Sequence, residues 1–359
     1  MSTTDKLTII SNFDPNGVGI NAQLFGLPFS VDMAEMVILP VPWEVTVSYS
    51  EGTANGPEAI LNASTQVDLF QEDIIDAWKM GIAMLPIDDL LKSQSEQQRS
   101  IANAYIQWLE AGEPEAVRSR YEKSPEGINA ACGKMNDWVY QQSKKYLEQG
   151  KMIGLLGGDH STPLGLIRAM AEKHSSFGIL QIDAHADLRP AYEGFEYSHA
   201  SIAYNFMKMP EVKQLVQVGI RDFCEQEYSF SQSDKRITMY TDSQLKEALF
   251  QGVNWSDLCK RIIADLPEKV YLTIDVDGLL PNLCPNTGTP VPGGLDFQQL
   301  MYLIKILVKS GREIIGFDLV EVAPGENGDE WDANVGARIL YRVANLVGLS
   351  QGKLSWSQM

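Results

Sequence analysis

Four short apolar runs in this chain stop at residues that carry charge, and no other feature constrains the fold as strongly. Phe177-Gly178-Ile179-Leu180 runs into Gln181-Ile182-Asp183-Ala184-His185-Ala186-Asp187. Residues 152–156 lead to Gly157-Gly158-Asp159-His160-Ser161, residues 270–274 to Asp275-Val276-Asp277, and residues 314–320 to Glu321. Apolar runs of this length read as strands buried on both faces. Residues 35–41 and 215–221 read the same way. Helical stretches lie between them: Gly56-Pro57-Glu58 opens one with proline in the first turn, and residues 128–150 end one at a capping glycine. Others span 163 to about 174, begin at Ser198-His199, and cover about 296–310 and 333–349. Strands alternating with helices make an α/β chain with a parallel sheet, and its site lies along the C-terminal edge of the strands.

No internal repeat divides the chain. Residues 1–33 show no clear period and read as an N-terminal extension, with one domain over 34–359. Residues 86–128 are punctuated by Gly112-Glu113-Pro114 and Ser124-Pro125-Glu126-Gly127, and read as a helical insertion over the surface. The net charge of -18 argues against a nucleic-acid partner, which needs a basic surface, and suits a cationic substrate. Cys132, Cys224, Cys259 and Cys284 are widely spaced, without a CxxC pair, so neither a disulfide framework nor a thiolate zinc site is expected. A reducing cytoplasm is. The first six residues lack the basic-then-apolar pattern of a signal peptide. No apolar run is long enough to span a membrane.

The strand ends carry the chemistry. Side chains alternate along a strand, so Asp183, His185 and Asp187 leave it on one side. Two carboxylates and an imidazole need something positive between them to be buried. A divalent metal meets that need; a hydrogen-bonded loop at a sheet edge is the plainer alternative. Of four histidines, His160, His185 and His199 fall in these motifs, while His174 sits at a helix end, where a structural role is expected. Asp275 and Asp277 repeat the i, i+2 spacing. The pool of His160, Asp183, His185, Asp187, Asp275 and Asp277 is too large for one tetrahedral zinc. It suits two divalent ions bridged by carboxylates, an arrangement that activates water for hydrolysis. Mn²⁺ leads, with Ni²⁺, Co²⁺ and Zn²⁺ as alternatives.

These motifs, with Thr287-Gly288-Thr289-Pro290-Val291-Pro292-Gly293-Gly294 and Asp318-Leu319-Val320-Glu321-Val322, resemble the ureohydrolase family of arginases, agmatinases and formiminoglutamases over about residues 35 to 349. The resemblance implies a three-layer α/β/α fold around a mostly parallel eight-stranded sheet, and a homotrimer or homohexamer. It implies that His160, Asp183, Asp187 and Asp275 hold one Mn²⁺ and that Asp183, His185, Asp275 and Asp277 hold the other. Asp187 would steady a metal-bound hydroxide, Glu321 would pair with a guanidinium, His199 would shuttle a proton to the leaving amine, and Thr289 would line the pocket.

Residues 187–201 look like the agmatinase branch, and Cys224 stands where arginases place an amine-binding aspartate. Agmatine is therefore favoured; guanidine, guanidinobutyrate, formiminoglutamate and arginine are alternatives. Three departures stand out. Leu280 replaces the family's aspartate, which makes a catalytically inactive relative an alternative. Ala54-Asn55 stand where an arginine is often found, and the insertion at 86–128 is long. A single-zinc deacetylase of related fold is disfavoured by the Asp-x-Asp/His pairs.

Overall fold

The computed structural model describes residues 3–358; the first two positions of the N-terminal extension lie outside them. Eight strands form one sheet: β1 (Met36–Val41), β2 (Ile82–Met84), β3 (Met152–Gly157), β4 (Phe177–Ile182), β5 (Val212–Ile220), β6 (Ile237–Thr241), β7 (Lys269–Asp275) and β8 (Glu313–Val320). Their order is β2-β1-β3-β8-β7-β4-β5-β6, and every pairing is parallel. The fold is the expected three-layer α/β/α, with the sheet wholly rather than mostly parallel.

The helices are α1 (Thr3–Asn12), α2 (Gly56–Ser64), α3 (Asp89–Glu110), α4 (Arg118–Tyr121), α5 (Ser124–Glu148), α6 (Leu164–Lys173) and α7 (Ile202–Met207), then α8 (Glu225–Ser233), α9 (Asp242–Phe250), α10 (Trp255–Ala264), α11 (Phe297–Lys309) and α12 (Trp331–Ser350). Two cores result, one on each face of the sheet. One gathers side chains of α2, α10, α11 and α12, the other side chains of α3, α5, α6 and α7. Strands covered on both faces have no polar face, which is why β1, β3 and β4 are buried throughout.

Several elements differ from the sequence-based reading. Helix α5 begins at Ser124 rather than 128, because Pro125 sits in its first turn, where a missing N–H costs nothing. In the N-terminal stretch, α1 leans on the core through Ile9 and Ile10, and Leu24, Phe25, Leu27 and Phe29 are buried. Within 86–128, α3 starts where the Asp88 side chain accepts from Leu91 N (2.9 Å) and packs Ala102, Tyr105 and Ile106 into the second core. The loop after α2 is tied to the far helices by Asp73. Burial would raise its carboxyl pKa, but the Arg342 fork (2.7 and 2.6 Å) and Lys305 (2.7 Å) outweigh that and hold it below the usual carboxylate range.

Candidate metal centre and pocket

The ends of β3, β4, β7 and β8 bring the predicted residues together. After β3 the chain passes so close to Trp43 that a Cβ on Gly158 would lie 2.0 Å from the Trp43 carbonyl oxygen, so only glycine fits. That approach lets Asp159 N donate to Trp43 O (3.0 Å). The Asp159 carboxylate faces inward, accepting from Ser161 N (2.9 Å) and Val45 N (3.2 Å), and leaves His160 at the site.

The carboxylates share one device. Asp183 Oδ1 accepts from His185 N (2.6 Å), Asp275 Oδ1 from Asp277 N (2.9 Å) and Asp277 Oδ1 from Ala184 N (2.9 Å). Asp275 and Asp277 are thus oriented through one oxygen and present the other, while Asp183 is held through both. Asp183 Oδ2, Asp187 Oδ2 and Asp275 Oδ2 lie 3.0, 3.1 and 3.2 Å from His160 Nδ1. Asp277 Oδ2 lies 2.9 Å from His185 Nδ1, and Asp183 Oδ1 3.6 Å from it. Two groups result, His160–Asp183–Asp275 and Asp183–His185–Asp277, sharing Asp183.

These residues fit a divalent metal on two observations. His160 Nδ1 is buried and has no hydrogen-bond partner despite three carboxylate oxygens around it. Donor atoms about 3 Å apart match the edge of an octahedron with bonds of about 2.1 Å. The electrostatics agree. Burial would strip the imidazoles of protons, but the carboxylates outweigh it: Asp183, Asp187 and Asp275 hold His160 well above its ordinary pKa, and Asp277 with Asp183 pushes His185 up to about 12. Burial, then Asp183, pushes Asp187 up to about 7. A cluster this anionic calls for positive charge.

A polar row beneath the site supports it and was not anticipated. Gln217, Gln181, Thr273 and Asp318 are paired in register across β5, β4, β7 and β8. Gln217 donates to Gln181 (3.0 Å), and Gln181 donates to Asp183 Oδ2 (2.8 Å). His160 Nε2 lies 2.8 Å from Thr273 Oγ1, which donates to Asp318 Oδ1 (2.8 Å). That chain places the ring proton on Nε2 and leaves Nδ1 free for a metal. The readable signal was positional: Gln181 and Thr273 stand two residues before Asp183 and Asp275, on the same strand face.

Glu321 and Asp187 both have positive φ, 65° and 53°, in the left-handed region that side chains rarely adopt. Glu321 Oε1 accepts from His160 N (2.9 Å), while buried Oε2 has no partner and faces Gly288. Burial, then Asp275 and Asp159, holds this carboxyl well above the usual range. A cavity of about 170 Å³ opens above, lined by His185, Asp187, His199, Thr289, Ser48, Arg189, Tyr192, Asp222 and Glu227 among others. Thr289 Oγ1 is 3.5 Å from Asp277 Oδ2. Thr46 Oγ1 accepts from His199 N (3.2 Å) and lies 3.4 Å from its Nδ1. Burial, then the His185 and His160 imidazoles, lowers the His199 pKa to about 3. His174 lies elsewhere, beside Lys269 Nζ (3.2 Å). Leu280 itself offers the loop no carboxylate, though Asp332 accepts from Asn286 N (2.9 Å) further along. Arg221 also holds the loop, donating to Asp277 O (2.6 Å), Leu279 O (3.1 Å) and Val291 O (2.9 Å).

A sequence model of the arginase family matches residues 34–345. An N(1)-aminopropylagmatine ureohydrolase of Thermus thermophilus is 30% identical over 322 residues, covering 90% of this chain and 93% of that one. An agmatinase of Photorhabdus laumondii is 30% identical, covering 89% of each. The crystal structure of agmatine ureohydrolase of Thermoplasma volcanium superposes with a TM-score of 0.66 at 19% identity, covering 97% of this chain and 99% of that one.

Proposed function

The chain belongs to the arginase family, and from that premise we propose that it hydrolyses a linear guanidine bearing an amine tail, as agmatine does. The reaction class is that of a metal-dependent ureohydrolase, which cleaves a guanidino C–N bond and releases urea. One observation carries the substrate reading: the ligand cluster lies beneath a pocket whose wall is acidic. Asp222 and Glu227 line it, and Asp222 has no ion-pair partner among the described residues. Arg189 lines it too, but it is turned to Glu227 (3.5 Å) and lies over the Tyr192 ring. An ammonium tail meets a carboxylate there; a carboxylate tail meets like charge.

In this reading His160, Asp183, Asp187 and Asp275 would hold one ion, and Asp183, His185, Asp275 and Asp277 would hold the other. When bound, the ions supply a water of lowered pKa. Glu321 offers its unpartnered oxygen to the guanidinium and orients the central carbon. Asp187 accepts a proton from the attacking water. His199 relays a proton to the leaving amine. Thr289 borders the substrate beside Asp277. Nitrogen and oxygen donors without thiolate favour Mn²⁺. All four cysteines are free thiols, which suits a cytoplasmic protein. A homotrimer or homohexamer is part of the same reading and rests on the family resemblance.

The test is urea release by Mn²⁺-loaded protein from agmatine, N(1)-aminopropylagmatine, arginine, guanidinobutyrate and guanidine, with formamide release from formiminoglutamate alongside. The expected result is a kcat/KM for an amine-tailed guanidine about 100-fold or more above that for arginine or guanidinobutyrate. A preference for arginine, guanidinobutyrate or formiminoglutamate would overturn the substrate assignment. Full metal loading with no product from any of them would favour the inactive-relative alternative.

A further inference from the structure

We propose that Arg99, on the long helix of the 86–128 insertion, is a positioning residue that fixes His199 through Thr46; the inference rests on the proton-relay role proposed for His199. The insertion lies over the loop that follows β1. Ser95 of α3, 1% exposed, accepts from Glu44 N (2.8 Å). One turn further along α3, Arg99 Nη1 donates to the carbonyl oxygens of Val47 (2.5 Å) and Val45 (3.4 Å). Its Nε and Nη2 both donate to Glu51 Oε1 (3.1 and 2.8 Å).

The two carbonyls flank Thr46. Arg99 therefore grips the backbone on both sides of the fully buried residue whose hydroxyl accepts from His199 N. The remaining loop is closed from within. Glu44, itself buried, accepts from Gly52 N (2.9 Å) and Ala54 N (2.8 Å), and Ser50 N donates to Gly288 O (3.2 Å) beside Thr289. Ser48, in the middle of the loop, lines the cavity.

No other side chain among the described residues donates to the Val45 or Val47 carbonyl. A planar guanidinium spans two carbonyls and a carboxylate at once, which a lysine ammonium cannot. The insertion is thus coupled to the proton relay through Arg99, with Ser95 anchoring the start of the same loop, and without itself reaching the cavity.

The experiment compares Arg99→Met, Arg99→Lys, Thr46→Val and the Arg99→Met/Thr46→Val double variant with the unaltered Mn²⁺-loaded protein. For Arg99→Met, kcat should fall about 10–100-fold while KM for the amine-tailed guanidine stays within about threefold. Metal content and melting temperature should hold. The double variant should fall no further than the worse single one, because both act along one path. Arg99→Lys should lie in between, and it carries the test if Arg99→Met does not fold.

Hydrogen–deuterium exchange gives a readout independent of activity. Peptides over residues 44–52 should exchange about tenfold faster in Arg99→Met, with β1 and α12 unchanged. An Arg99→Met kcat within twofold of the unaltered protein, losses that add in the double variant, or unchanged exchange in the loop would overturn the proposal. Inactivity of the unaltered protein would instead strike the functional reading beneath it, and the exchange arm would still decide whether Arg99 holds the loop.

Discussion

Replacing Asp183 with alanine is expected to reduce bound metal from two ions per chain to fewer than one, and to lower urea release at least about 10⁴-fold. Asp183 belongs to both ligand groups, so its loss opens both. The damage spreads backward as well. Gln181 Nε2 loses its acceptor, and His185 N loses the oxygen that orients the loop between β4 and the cavity. Asp183 is fully buried, so an alanine there leaves polar groups facing empty space where water has little access. Metal analysis after gel filtration checks the first expectation, and a urea assay in saturating Mn²⁺ the second. Two ions retained in Asp183→Ala would show that the ions sit elsewhere.

Replacing Glu321 with glutamine should separate substrate binding from metal binding. The amide oxygen can still accept from His160 N, so the β3 loop keeps its place and two ions should remain. What disappears is the negative charge that the unpartnered buried oxygen can carry once cations stand beside it. A guanidinium held there exchanges a charge-assisted pair for a neutral contact. The expected loss is about 10²–10³ in kcat/KM with metal content unchanged. Equal activity in Glu321→Gln would remove this carboxylate from the substrate's path. A parallel loss of metal would assign it to support of His160 instead.

The residues at the strand ends were legible because charge after an apolar run is costly without a purpose, and two of the four histidines, His160 and His185, stand there. The parallel sheet was legible from strands alternating with helices, and the three-layer order came with the family resemblance. The edge strands β2 and β6 were not, because three and five residues carry too little pattern to separate from loop. Helix α1 shows no apolar period, yet it is held in place by Lys6, which donates to Met80 O (2.7 Å), and by packing that no local signal reports.

Supporting residues were harder to see than ligands. Thr273 and Gln181 read as ordinary strand positions, and their roles depend on neighbours brought into register from distant segments. Asp318 sat inside a recognised motif without a stated role, and the structure supplies one through Thr273. Arg99 lies in a polar stretch of helix where a solvated face is the natural expectation; only folding brings it to Val45 and Val47. The positive φ of Glu321 has no sequence signature, since glutamate seldom adopts it; aspartate visits that region more readily, but nothing in the sequence singles out Asp187.

Metal-free protein titrated with Mn²⁺, with urea release from agmatine followed at each step, asks most directly whether a paired-ion centre performs this hydrolysis. Activity should rise to a plateau at two equivalents per chain, with most of it appearing only as the second ion binds. A plateau at one equivalent, or no urea at any loading while two ions are bound, would contradict it.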